Sequence, residues 1–277
     1  MPSAANFNGA VAFFHPGIEF MTLIDRLKHV KRRLLGGVGR ASNRKLFLFQ
    51  TPRHGVDDLA DIASFGDEPG TILDVGANIG QSALRFRLAF PKARIISLEP
   101  VSGTFSELQR RTADLDVDCR RLALGPEAGR ATIYLTELSV TNSLKRPAAE
   151  ELRGAEEIEV ETLDGFVVRN GLEAIDLLKI DAEGFDLDVI RSGARTLAAG
   201  RVRFILVEVG FNPGDPRHPL FDDMRAELTP HGFRLLGFYE QNLEWSGEPR
   251  LRYANALFCR DAAVLAAERD RQARLCA

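Results

Sequence analysis

The sequence predicts an α/β fold built on a mostly parallel sheet with helices on both faces. Three observations predict it. Short apolar strands alternate with helices at close intervals. The first of those strands runs into a glycine turn that opens a helix. Two strand-like runs close the chain, joined by a loop too short for a helical crossover, so they pair antiparallel.

The elements follow in order. Residues 20–35 place Leu23, Leu27, Val30 and Leu34 at helical spacing, and Gly36, Gly37 and Gly39 end that helix. Residues 56–66 read as a second helix, with Asp57 and Asp58 suited to its first turn. Thr71–Val75 is a strand ending in Gly76, Ile79–Phe90 a helix closed by Pro91, and Ala93–Leu98 a strand ending in Glu99-Pro100. Ser102–Ala113 is a helix and Val117–Leu124 a strand. Arg130–Thr136 and Ile158–Glu161 alternate in polarity around a polar loop and read as an inserted hairpin. The alternation resumes with a strand at Ala174–Ile180, a helix near Phe185–Leu197 and a strand at Val202–Val209. Gly232–Tyr239 and Leu251–Cys259 are the closing pair. The chain therefore divides into an amino-terminal arm, 1–50, carrying the basic helix, and one α/β domain, 51–277.

Composition excludes several classes. The 277 residues are 45% hydrophobic and 27% charged, an ordinary globular balance, and a net charge of -3 does not suit a nucleic-acid binder. Cys119, Cys259 and Cys276 are odd in number and form no CxxC pair, which argues against a disulfide scaffold or structural zinc and fits a reducing cytoplasm. The five histidines form no HxH or HExxH pair, so no preformed metal site is expected. No apolar run approaches the roughly 20 residues a membrane-spanning helix needs. The first twenty residues lack the basic start and sustained apolar stretch of a signal peptide, and with Met21 opening the next segment they read as a loose extension. Charge is uneven along the chain. Residues 21–50 hold eight Lys or Arg against Asp25, and 150–161 hold six Glu against Arg153; both read as solvated surface. The basic helix at 21–35 fits packing on its own domain or on a sister subunit in a homo-oligomer. Peripheral contact with an anionic membrane is the less favoured reading, because one short helix binds such a surface weakly.

Two motifs point to a nucleoside-bearing ligand. In Ile72-Leu73-Asp74-Val75-Gly76-Ala77-Asn78-Ile79-Gly80 a buried strand turns sharply into a helix. Gly76 permits the turn and a close ligand, and Gly80 permits the helix to approach the sheet. Glu99 ends the next strand, where an acid in a Rossmann-like fold accepts hydrogen bonds from ribose hydroxyls. A dinucleotide fingerprint has glycine at the middle of the turn, to make room for a pyrophosphate. Here Asn78 occupies that place, and Asp74 puts a carboxylate before the turn. That combination suits a cationic cofactor, S-adenosylmethionine, better than a diphosphate.

The third motif is Lys179-Ile180-Asp181-Ala182-Glu183-Gly184, at the carboxyl end of a central strand, where ligands of open α/β sheets sit. Alternation sends Lys179 and Asp181 to one face with Glu183 close by. Three charges there cost stability unless paired or used. Glu208, in Ile205-Leu206-Val207-Glu208-Val209, ends the next strand on the same edge. Asp181 is the first candidate for a general base, Glu208 the second; Lys179 would orient the carboxylates or stabilise a developing alkoxide, and Glu183 would hold the loop or touch substrate.

The runs ILDVGANIGQSAL, SLEP, LLKIDAEGFDLDVI and ILVEV together resemble the FkbM-type methyltransferase family over roughly residues 54–260. The resemblance implies a Rossmann-like class I methyltransferase fold, with a seven-stranded, mostly parallel sheet and an antiparallel last strand. It implies O-methylation of a hydroxyl on a sugar, glycan or polyketide-type small molecule. It implies cofactor contact at Asp74, Gly76, Ala77, Asn78, Gly80 and Glu99, with Asp181 nearby, and the adenine near Ala123-Leu124-Gly125. It also suggests that Thr141-Asn142-Ser143 face the cofactor. Asp186 departs from the family, where Glu is usual, and lies beyond the expected catalytic residues. Acceptor specificity is expected in the loops 136–157 and 210–220. The rival readings are a nicotinamide oxidoreductase, disfavoured by Asn78 and by the lack of a second large domain, and a cofactor-binding adaptor without chemistry, disfavoured by the charges at 179–183. A divalent metal on these acids is disfavoured, since nothing else supplies ligand spacing.

Overall fold

The computed structural model describes residues 54–136, 152–215, 217–243 and 250–260. The arm 1–50 with its basic helix, and Thr141-Asn142-Ser143, lie outside the described residues. Helix α1 (Asp58–Ala63) begins at Asp57, whose side chain accepts from the Ala60 amide. Then come β1 (Thr71–Val75), α2 (Gln81–Ala89), β2 (Arg94–Leu98), α3 (Ser102–Thr112) and β3 (Val117–Arg120). A short β4 (Ala123–Leu124), β5 (Gly129–Leu135), β6 (Gly154–Glu161) and α4 (Leu163–Arg169) follow. The second half runs β7 (Ile175–Ile180), α5 (Asp186–Ser192), α6 (Ala194–Ala198), β8 (Val202–Gly210), α7 (Phe221–Leu228), β9 (Phe233–Leu243) and β10 (Leu251–Arg260).

The main sheet has seven strands in the order β3-β2-β1-β7-β8-β10-β9. Neighbours from β3 to β8 are parallel, and β10 is antiparallel to both β8 and β9. The chain winds outward from β1 to β3, then returns to β7 on the other side of β1. The switch point therefore lies between β1 and β7, where a ligand crevice opens in such sheets. Alternation builds two apolar layers. Leu73, Val75, Leu178, Ile180, Ile205 and Val207 pack under α4 to α7. Ile72, Ile95, Leu177, Phe204 and Leu206 face α1 and α2.

The expected elements form, with three differences. Val117–Leu124 is not one strand, because β3 is the edge of the main sheet and the chain leaves it after Arg120. Ala123-Leu124 instead pairs with β6, so the inserted hairpin is a three-stranded sheet, β4-β6-β5. The helix near Phe185–Leu197 is two helices broken at Gly193. A Cβ there would lie 2.4 Å from Leu163 Cδ2, so the break lets the pair settle on α4. Finally, α4 and α7 were not read from the sequence. The first is short and opened by a Thr162 cap, whose hydroxyl accepts from the Gly165 amide at 3.0 Å.

Because Leu163 is fully buried, Gly193→Ala should force repacking at a cost of about 1–3 kcal/mol. Urea unfolding measures this, and an unchanged midpoint would contradict the packing described.

Candidate active site

The turn after β1 is stitched to the end of β2. Leu98 O accepts from the amides of both Gly76, at 3.0 Å, and Ala77, at 2.9 Å. Gly76, Asn78 and Gly80 all take left-handed φ values, +73°, +47° and +90°. Gly76 makes the expected sharp turn and lines the cleft, and a further constraint acts on it. A Cβ there would sit 1.9 Å from the carbonyl oxygen of Asp181, so the crowding comes from the backbone leaving β7. At Gly80 a Cβ would meet Leu108 Cδ1 at 3.0 Å and Thr112 Cγ2 at 3.2 Å. That glycine lets the turn pack on α3, rather than letting α2 approach the sheet.

Glu99 joins the two motifs. Its Oε2 accepts from the Asn78 amide at 3.1 Å and its Oε1 from the Val101 amide at 3.0 Å. Burial pushes its carboxyl up to about 7, against the pull of those two amides.

Strand register explains the next feature. Asp74 pairs with Ser97 of β2 on one side and with Lys179 of β7 on the other. Paired residues share a face, so a polar row crosses three strands where the apolar layer ends. Asp74 is wholly buried, with the Ser97 hydroxyl at 3.3 Å and the Lys179 ammonium at 3.5 Å. Lys179 Nζ also donates to Gly76 O at 3.2 Å and to Asp181 Oδ2 at 3.3 Å. Burial alone would lower the lysine pKa, but Asp181 and Asp74 outweigh it and hold the ammonium above its ordinary value. Asp74 thus stands behind the cleft lining. It lies beneath the turn and acts through Lys179.

Above this row is a cleft of about 260 Å³. Gly76, Ala77, Asn78, Gln81 and Ser82 line one side and Glu99 its floor. Val101, Leu122, Ala123, Leu124, Ile133 and Ile158 form an apolar wall. Lys179, Asp181, Ala182, Glu183 and Phe185 close the far end. Of the expected cofactor residues, Gly76, Ala77, Asn78, Glu99, Ala123, Leu124 and Asp181 line the cleft, whereas Asp74 and Gly80 stand behind it. The apolar wall from the inserted sheet escaped the sequence reading. Its signal was the alternation in β5 and β6 that turns Ile133 and Ile158 inward.

The loop after β7 is held by the residue that departs from the family pattern. Asp186 Oδ1 accepts from the Ala182 amide at 2.9 Å and Oδ2 from the Gly184 amide at 3.1 Å. This brace bends the loop, with Glu183 at φ +48° and Gly184 at +93°, and presents Glu183 to the cleft. Burial, reinforced by Asp181, Glu208 and Asp186 and opposed by His218, pushes Glu183 up to about 8. Burial raises Asp186 to about 6, against its amide bonds.

Glu208 is not in the wall of this cleft. Its Oε2 lies 3.0 Å from His218 Nε2, and His218 Nδ1 lies 2.9 Å from Asp215 Oδ2. This pair on the loop after β8 had no sequence motif, since a lone histidine in a loop gives no sign of its partners. Among the described residues no group of three or more His, Cys, Asp or Glu is arranged to hold a metal ion, and no helix is long and apolar enough to cross a membrane.

The sheet order, its antiparallel last strand and the cleft at its switch point define a Rossmann-like class I methyltransferase fold. Residues 74–235 match the family model described as the methyltransferase FkbM domain, and the chain belongs to that family. It is 31% identical over 160 residues to Methyltransferase 1 of Beauveria bassiana, covering 49% of this chain and 63% of that protein. It is 29% identical over 163 residues to the 2-O-methyltransferase NoeI of Sinorhizobium fredii, covering 53% and 66% of the two chains. Methyltransferase sdnD of Sordaria araneosa is 30% identical over 222 residues, covering 65% of this chain and 85% of that one. The match thus spans less than two thirds of the first two relatives.

Lys179→Met leaves Asp74 buried without its cation and should cost about 3–5 kcal/mol of stability. Replacing Asp74 by Asn in the same chain should recover a large part of this. Chemical denaturation of both variants checks it; equal losses in the single and double variants would show the two groups to be uncoupled.

Proposed function

We propose that the chain is an S-adenosylmethionine-dependent methyltransferase that acts on a hydroxyl oxygen of a small molecule or glycan. The observation that carries this reading is the charge of the cleft. Among the described residues it is lined by the carboxyl groups of Glu99, Asp181 and Glu183, with one lysine already engaged by Asp74 and Asp181, and no arginine. Such a lining suits a nucleoside with an ammonium and a sulfonium better than the anionic pyrophosphate of a nicotinamide dinucleotide. The donor set fits the cofactor part by part. Glu99 is an acceptor-only group when ionised, suited to two ribose hydroxyls. Val101, Leu122, Ile133 and Ile158 provide an apolar slot for the adenine, and Asp181 a carboxylate for the cationic end. When bound, the cofactor supplies an electrophilic methyl; this chain's residues orient it and position the acceptor.

Oxygen as the acceptor atom is supported by the name of the Sinorhizobium fredii relative, a 2-O-methyltransferase. Glu183 at the far end of the cleft and Glu208 beside it are also groups that can accept a proton from a hydroxyl. We place the activity in 51–277 and in a cytoplasmic setting, consistent with three cysteines without close spacing.

Transfer of a labelled methyl from S-adenosylmethionine to a hydroxyl-bearing extract tests the activity. Label appearing on nitrogen or carbon would overturn the choice of oxygen, and no transfer by cofactor-loaded protein would overturn the activity itself. Calorimetry tests the ribose assignment. Glu99→Ala should weaken S-adenosylhomocysteine binding by about 2–4 kcal/mol, since charge-assisted hydrogen bonds are worth roughly 1.5–3 each.

A pH series adds a sign. Glu99 titrates at about 7 in the free protein, and its ionised form is the better acceptor. Affinity should be full above that pH and fall as pH drops through it, by at most about tenfold per unit. Below it, binding should release a proton. The dependence should vanish in Glu99→Ala; a pH-independent wild type would contradict the assignment.

A further inference from the structure

The geometry of methyl transfer separates two carboxylates that the sequence groups together. An attacking oxygen approaches the methyl from the side opposite the sulfur. The group that takes its proton therefore stands beyond the cofactor cleft, not in its wall. Asp181 is in the wall, and its Oδ2 is paired with Lys179. Glu208 is outside the lining, yet adjacent: Ile180 pairs with Val207, so Asp181 and Glu208 leave neighbouring strands at the same level and on the same face.

Glu208 is held in an unusual way. Both ring nitrogens of His218 face carboxylates, Glu208 at 3.0 Å and Asp215 at 2.9 Å. Two such acceptors require two N–H donors, which only the imidazolium form has. The ring is 9% exposed and stacks on Tyr253, with centroids 4.4 Å apart and planes 12° apart. Arg252 Nε anchors the far end of the chain at 3.3 Å from Asp215 Oδ2. The groups facing His218 are thus Glu208 from β8, Asp215 from its own loop, Arg252 and Tyr253 from β10, and Glu183 from the loop after β7.

Building on the methyl-transfer reading, we propose that Glu208 is the base that accepts the acceptor hydroxyl's proton, and that Asp215 and His218 are positioning residues that hold it aimed. As the oxygen–carbon bond forms, the carbon–sulfur bond breaks and its electron pair stays on sulfur. The hydroxyl proton passes to Glu208 Oε1, giving a neutral acid that later returns the proton to solvent. His218 fixes Oε2, and among the described residues no other hydrogen bond holds Oε1. Burial alone would lower the His218 pKa, but Glu208 and Asp215 outweigh it and raise it. Asp181, locked to Lys179, is left as a fixed negative wall for the cofactor.

Two measurements test this together. The first is ¹⁵N histidine NMR of the S-adenosylhomocysteine complex near neutral pH. His218 should be doubly protonated, and a neutral tautomer would overturn the positioning role. The second is labelled-methyl transfer from S-adenosylmethionine to a methanol-soluble extract of the producing cells, with cofactor affinity measured in parallel. Glu208→Gln should lower transfer by about 10²–10⁴-fold, the usual size of a general-base contribution, with cofactor affinity nearly unchanged. His218→Gln keeps a donor but no charge; it should lower kcat and abolish the basic limb of the pH profile. Asp181→Asn should weaken cofactor binding instead. Near-normal transfer by Glu208→Gln, or an unchanged pH profile in His218→Gln, overturns the proposal while leaving the methyl-transfer reading intact. A cofactor-loaded wild type that transfers no label overturns both.

Discussion

Lys179 is buried among two carboxylates and a backbone carbonyl, and the carboxyl edge of the sheet is organised around it. The ammonium reaches Asp74 on β1, Asp181 on the exit of β7 and the carbonyl of Gly76 in the first turn. A buried cation of this kind is tolerated only when its partners are fixed, because its desolvation is costly and each missing partner leaves an uncompensated charge. The parallel register of β2, β1 and β7 does the fixing by setting Ser97, Asp74 and Lys179 side by side. The same closeness forces glycine at 76, since any side chain there would strike the Asp181 backbone. The turn, the strand end and the ionic row are therefore one unit.

From that unit the site follows outward. The turn presents the Asn78 amide to Glu99, which buries an acid at the floor of the cleft. The backbone after Asp181 is bent by Asp186, which brings Glu183 to the cleft's far end. The main sheet supplies charge and backbone amides, while the inserted three-stranded sheet supplies the apolar wall through Ile133 and Ile158. A nucleoside ligand needs both kinds of surface, and they come from parts of the chain with different constraints.

Much of this was legible in the sequence because it rests on local rules. The doubly wound order follows from strand–helix alternation, and the antiparallel end from a short loop. Gly76, Asn78, Glu99, Lys179, Asp181 and Glu183 were legible because they lie at strand ends, where polarity interrupts an apolar run. Asp74 was expected in the cleft wall for a related reason, and it lies behind that wall. It also interrupts such a run, but whether an acid there faces a ligand or a lysine depends on strand register, which a single sequence does not carry. The contact of Gly76 with the β7 exit and that of Gly80 with α3 were not legible, for the same reason. Asp186 looked peripheral because its work is done on backbone amides. His218 and Asp215 join Glu208 only through the path of a loop, and no spacing rule announces that.

The central claim is that this cleft is built for a cationic nucleoside and not for a diphosphate. Its most direct test is thermal unfolding of the protein with excess S-adenosylmethionine, S-adenosylhomocysteine or NAD at matched concentration. A ligand that binds only the folded state stabilises by RT ln(1 + [L]/Kd), about 2.7 kcal/mol at a hundredfold excess over Kd. The account predicts a raised Tm with both sulfur nucleosides and none with NAD. A rise with NAD, or no rise with either sulfur nucleoside, would contradict it.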